Sequence, residues 1–226
     1  MNLSRFHRDM DALKDQVLQM GDMVEQALAD ASAALLNRRP LLARRVIEDD
    51  GRTDQMENEI EARCVKLLAT QQPVAVDLRF IAGALRITRD LERLGDQCVN
   101  LAHRTIDLCS QEPLVLPQTL RDMVDIARQM TRSVLNALAS QNTTLAEEVI
   151  ARDDQLDDLN RKLLEEMILW MNQEQRVIRR GVELIIASRH LERVGDEATN
   201  VAETVVYMVR GEVIRHQPAV EASQPG

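Results

Sequence analysis

Arg89-Asp90-Leu91-Glu92-Arg93-Leu94-Gly95-Asp96 returns one hundred residues later as Arg189-His190-Leu191-Glu192-Arg193-Val194-Gly195-Asp196. Across residues 85–102 and 185–202, eight of eighteen positions are identical, and most others exchange like for like, as in Leu94/Val194 and Thr88/Ser188. A match of that length within one chain is an internal repeat and divides it into two similar halves. On a helix, Glu-x-x-x-Asp places two carboxylates one turn apart on one face, where like charges cost a few tenths of a kcal/mol. Asn100 and Asn200 follow four residues on, extending each pair to an oxygen-bearing stripe. Such donors suit hard or borderline cations. The competing reading is a solvated face on which Glu92 and Asp96 pair with Arg89 and Arg93.

Outward from the motif, apolar residues step by three and four through long segments, so the chain reads as all-α. Helices are predicted over about 7–37, 41–70, 76–109, 118–140, 145–172 and 176–210. Thirty-residue helices point to bundles. Pro40, Pro73, Pro113 and Pro117 fall between them, where proline is tolerated. The expected architecture is two tandem repeats of a three-helix bundle, six helices in all. The repeats cover 1–112 and 113–215, and 216–226 forms a polar tail.

The middle helix of each half carries a second acidic pair. Val46-Ile47-x-x-Asp50-x-x-x-Asp54 is echoed 103 residues later by Val149-Ile150-x-x-Asp153-x-x-x-Asp157. Asp50, Asp54, Glu57 and Glu61 border the apolar side of the first. Antiparallel neighbours pack with axes about 8–10 Å apart. If both stripes of a half face one groove, four carboxylates converge there: Asp50, Asp54, Glu92 and Asp96, or Asp153, Asp157, Glu192 and Asp196. Uncompensated, such a group requires raised pKa values or bound cations. The expected ligands are divalent or trivalent metal ions: iron, manganese, zinc or magnesium. His103, seven residues past Asp96, could supply a further ligand, but a surface histidine is the favoured reading, and His190 falls away from the stripe.

Composition narrows the function classes. With 28 basic and 37 acidic residues the formal charge is −9, which disfavours a nucleic-acid partner, because phosphates must be neutralised by Lys and Arg. Cys64, Cys98 and Cys109 lack metal-ligand spacing and read as small apolar residues in a reducing compartment. No apolar run reaches the ~18 residues of a membrane span, and residues 1–11 hold no hydrophobic signal segment, so a cytoplasmic protein is expected. There is no nucleophile elbow, phosphate-cradling glycine loop or Glu-x-x-His pair. A metal-dependent hydrolase or oxidase using the same carboxylates remains the alternative, although a surface stripe shields chemistry poorly.

The duplicated Leu-Glu-Arg-(Leu/Val)-Gly-Asp followed by Asn-x-Ala, with Val-Ile-x-x-Asp-x-x-x-Asp one helix earlier, resembles the PhoU family of bacterial phosphate-signalling accessory proteins. Gln72-Pro73 and Asp77-Leu78-Arg79 fit the family's segment before the first motif, while residues 173–178 depart from it. The resemblance spans about residues 5–215. It implies metal clusters at the eight acidic positions above and a dimeric cytoplasmic regulator. It also implies partners: the phosphate ABC transporter, through its ATPase subunit, and the phosphate-sensing histidine kinase, together repressing the starvation regulon and restraining uptake. A −9 chain is repelled by anionic lipid, so contact with the membrane is expected only through those proteins.

Overall fold

The computed structural model describes residues 3–214, and every regular element among them is helical. The tail expected at 216–226 lies outside the described residues. The first repeat consists of α1 (Leu3–Leu36), a middle rod of α2 (Pro40–Asp49) and α3 (Gly51–Gln71), and α4 (Ala75–Cys109). The second consists of α5 (Gln118–Ser140), a middle rod of α6 (Thr143–Ile150) and α7 (Asp153–Gln173), a short 3₁₀ turn (Gln175–Val177) and α8 (Ile178–Arg210). This is the all-α, twice-repeated three-helix architecture expected.

The expectation of unbroken middle helices is corrected: both rods are interrupted about one-third of the way along. At the first break the Thr53 amide donates to the Asp50 carbonyl at 2.8 Å; at the second, Arg152 donates to Val149 and Gln155 to Arg152, each at 3.0 Å. These are i→i−3 bonds, which wind the chain about 120° per residue against 100° in an α-helix. The buried positions explain the need. Val46, Thr53, Ile60 and Leu67 recur every seven residues, as do Val149, Leu156 and Leu163. A straight α-helix slips about 20° per seven residues. One tightened turn restores the register, so both parts of each rod keep packing on the same neighbours, α1 and α4 or α5 and α8.

The four long helices form a ring in which α1 packs on α4, α4 on α8, α8 on α5 and α5 on α1, with the rods flanking it. One continuous apolar core runs through both repeats. The closest approach between repeats is along α4 and α8. A β-carbon at Gly83 would stand 2.3 Å from Met208 Cγ, so no side chain fits without moving the methionine. Arg104–Glu183 at 3.0 Å and Arg132–Glu25 at 2.8 Å also tie the repeats together. The connection through 110–117 is pinned from both sides. Arg38 Nη2 donates to the Gln111 carbonyl at 2.7 Å. Arg180, only 8% exposed, donates to the carbonyls of Glu112, Pro113 and Arg176. No described helix is long and apolar enough to cross a membrane. Cys64 and Cys98 are buried in the core as expected, and Cys109 is half-buried.

Candidate metal centres

The break in each middle rod puts carboxylates at the start of a new helix, where the dipole favours negative charge. Asp50 stands at the first break, with Asp54 in the first turn of α3; Asp153 and Asp154 open α7. Each rod lies against the helix that carries the duplicated motif, which brings carboxylates of the two close enough to raise one another.

In the first repeat, burial pushes the Asp50 carboxyl above its ordinary value, and the neighbouring Asp54 and Asp96 push it further. Burial also raises Glu92, reinforced by Asp96, Glu57, Asp54 and Asp50, and raises Asp96, reinforced by Asp54. In the second repeat, burial pushes Asp196 up to about 6, with Asp153, Glu192, Asp157 and Glu197 adding to it. Glu192 is raised by burial and Asp157, against which Arg189, a hydrogen bond from Asn160 and Arg193 act. Asp153 is buried, at 6% exposure. Raised carboxyls held side by side are the electrostatic sign of a site lacking positive charge.

One member went unrecognised in the sequence. Glu57 is raised by burial, Glu61, Asp54 and Asp96, with Arg89 opposing, so the first cluster has five carboxylates. The signal was available: Glu57 sits three residues after Asp54, in the same acidic stripe, but outside the four-residue pairs. Its counterpart is Asn160, whose Oδ1 accepts from Ser188 Oγ at 2.7 Å.

Asn200 is exposed, and its Nδ2 donates to Glu197 Oε2 at 3.2 Å. His103 is exposed and joins neither cluster, whereas His190 lies apart, as expected, with Nδ1 3.0 Å from Gln97 Oε1 on α4. The solvated-face pairing is also absent: among the described residues neither Arg89 nor Arg93 closes an ion pair, nor do Arg189 and Arg193.

Gly95 and Gly195, between the acids, differ. A β-carbon at Gly195 would come within 2.6 Å of Leu156 Cδ2 and 3.1 Å of Asp153 Oδ1, so tight helix packing requires the glycine. At Gly95 the nearest atom is Thr53 Cγ2 at 3.6 Å, an ordinary contact.

The residues fit a cation in kind: oxygen donors from two facing helices, their charges mutually unfavourable without one. Among the described residues, no group of three or more His, Cys, Asp or Glu side chains stands as it would around a single ion. Holding one requires rotamer changes at these largely surface side chains. An oxygen-only set suits magnesium, manganese or iron better than zinc, which favours nitrogen and sulfur.

A family model described as "PhoU domain" matches the chain twice, over residues 17–105 and 120–205. The phosphate-specific transport system accessory protein PhoU homolog of Aquifex aeolicus is 36% identical over 220 residues, spanning 97% of this chain and 100% of that protein. The one from Pseudomonas putida is 37% identical over 94% of this chain and 83% of its own length. The crystal structure of PhoU from Pseudomonas aeruginosa superposes with a TM-score of 0.89 at 36% identity, covering 92% of this chain and all of that one. That of the phosphate transport system regulatory protein PhoU from Streptococcus pneumoniae gives 0.86 at 28% identity, covering 93% and 99%.

Proposed function

The chain belongs to the PhoU family, and from that premise we propose that it is a non-enzymatic, cytoplasmic regulator of phosphate transport. It acts as an adaptor between the ATPase subunit of the phosphate ABC transporter and the phosphate-sensing histidine kinase. In that role it represses the phosphate-starvation response and restrains uptake, as a homodimer. Names of relatives as accessory or regulatory proteins of phosphate transport support the regulatory part of this reading.

The observation that carries the site reading is the recurrence of converging, raised carboxylates at matched places in both repeats. Asp50, Asp54, Glu92 and Asp96 would hold ions in the first cluster, with Glu57 beside them. Asp153, Asp157, Glu192 and Asp196 would hold them in the second. A bound cation supplies the positive charge that each cluster lacks, and makes a local anionic patch neutral or cationic. Contact with a partner then depends on ion occupancy.

The test is elemental analysis of protein purified without a chelating tag, beside the variant Glu92→Ala/Asp96→Ala/Glu192→Ala/Asp196→Ala. Iron, manganese or magnesium in the wild type and not in the variant is the expected result; equal content in both removes the metal reading. Co-purification of the ATPase subunit and the kinase with each protein tests the adaptor role. Loss of neither partner from the metal-free variant would separate docking from the ions.

A further inference from the structure

The surroundings of Gly95 and Gly195 differ in how fully they are packed. A β-carbon at Gly195 would stand 2.6 Å from Leu156 Cδ2 and 3.5 Å from Met130 Cε. Beside Gly95 those places are taken by Thr53 and Val24, at 3.6 and 4.0 Å, and both side chains are smaller. In the second repeat Arg152 Nη1 also donates to Gln129 Oε1 at 3.2 Å, tying the middle rod to α5. The corresponding residues of the first repeat are Asp49 and Met23, neither of which carries a side-chain donor. The outcome is a cavity of about 310 Å³ between α1, the break in the middle rod and α4, with Gly95 in its wall.

The apolar part of the lining comes from Met23 and Ala27 of α1, Val46 of α2 and Val99 of α4. The charged part sets the carboxylates of Asp22, Asp30, Asp49 and Asp50 against the guanidiniums of Arg45 and Arg52, which leaves negative charge in excess. Arg52 is already engaged, 4.0 Å from Asp49. Asp22 and Asp30 close no ion pair among the described residues. A hydroxyl points to a ligand independently of these charges. Thr88, Thr105 and Thr131 are buried in helices, and each donates to the carbonyl four residues back. Thr53, only 7% exposed, lines the cavity, and its hydroxyl has no partner among the described residues. Buried polar groups are normally satisfied, and a hydroxyl oxygen accepts from any donor bound beside it.

We propose that this cavity is a binding site for a linear aliphatic polyamine. Asp22 and Asp30 stand eight residues apart on α1, about 12 Å along the helix axis. An extended chain of about ten atoms covers that distance. A triamine of this length sets a terminal ammonium at each of the two carboxylates, where the hydrogen bonds are charge-assisted. Its methylenes lie on Met23, Ala27, Val46 and Val99, as the stem of a lysine lies on apolar surface. Its inner ammonium donates to the Thr53 hydroxyl and faces the carboxylates of the break. A metal ion alone uses neither the length of the cavity nor its apolar lining. The cavity shares Asp50 with the first metal cluster, but Asp22, Asp30 and Thr53 lie outside the metal-binding set, so the two sites are separable by mutation.

The test is isothermal titration calorimetry of the full chain, chelator-treated, with spermidine. Wild type is expected to bind with an affinity that falls as salt rises. Asp22→Asn/Asp30→Asn should bind about tenfold more weakly. Thr53→Leu, which installs the residue that occupies this place in the second repeat, should lose at least as much. The control Asp11→Asn/Asp15→Asn, exposed carboxylates of α1 outside the cavity, should match wild type. Unchanged melting by circular dichroism confirms that the variants are folded; if Thr53→Leu does not fold, the Asp22/Asp30 pair decides. No binding by wild type overturns the proposal. Equal loss in the control overturns it in favour of diffuse attraction to the acidic surface. Loss in Glu92→Ala/Asp96→Ala with Asp22→Asn/Asp30→Asn unchanged overturns it in favour of an amine held in the metal cluster.

Discussion

Asn160 Oδ1 accepts a hydrogen bond from Ser188 Oγ at 2.7 Å, in the place that Glu57 occupies in the first repeat. The Ser188 counterpart, Thr88, instead donates to the Ala84 carbonyl at 2.8 Å. That substitution puts a neutral amide in the second cluster where the first has a carboxylate.

A cluster with more carboxylates holds a hard cation more tightly. Ions should leave the second cluster first in a chelator titration, at about tenfold lower chelator, which corresponds to about 1.4 kcal/mol. Metal content of Glu92→Ala/Asp96→Ala against Glu192→Ala/Asp196→Ala measures this, because each retains one intact cluster. The opposite order would show that the deeper burial of Asp153 outweighs the additional charge.

Asp90 makes the metal-free protein sensitive to pH. Its folded value, about 7, lies above the ordinary value of 3.8, so the folded state holds the proton more tightly than the unfolded chain. The stability contributed is present below about pH 4 and is lost as pH rises to about 7. Asp90→Asn should therefore stabilise chelator-treated protein at pH 8 by on the order of 1–2 kcal/mol, discounted for partial exposure, and have little effect at pH 4. Urea unfolding at both values provides the comparison; equal effects at both would count against the titration.

The glycines between the acids should respond with opposite sign. Gly95→Ala meets only ordinary contacts and gains helix propensity, about 1 kcal/mol. Gly195→Ala must displace the fully buried Leu156 and crowd Asp153, and overpacking of that kind costs about 1–3 kcal/mol. Thermal melts should place Gly95→Ala at or above wild type and Gly195→Ala below it.

Arg180 Nη1 donates to the Glu112 and Pro113 carbonyls of the inter-repeat connection, and its Nη2 to the Arg176 carbonyl at 2.9 Å. Arg180→Ala should cost about 2 kcal/mol, and Arg180→Lys should restore little, since an ammonium cannot reproduce the planar fork. Limited proteolysis should cut faster within 110–117 in both variants.

Apolar periodicity, the hundred-residue repeat, and the prolines were enough to read the all-α class, the helix order and the acidic pairs. All of these are local patterns, visible as i, i+4 or as a recurrence along the chain. The sequence also contained the reason for the breaks, since Val46, Thr53, Ile60 and Leu67 step by seven, but Gly51 alone did not mark the first, and Ala151-Arg152 lacks even that.

Tertiary structure decided the rest. Membership of Glu57 in its cluster, the turn of Asn200 towards Glu197 and the burial that lifts Asp90 all depend on how two helices are placed against each other. A helix sequence determines which residues share its face by a fixed 100° step. It does not determine which face a distant helix will cover, because that depends on filling one continuous core from both repeats at once.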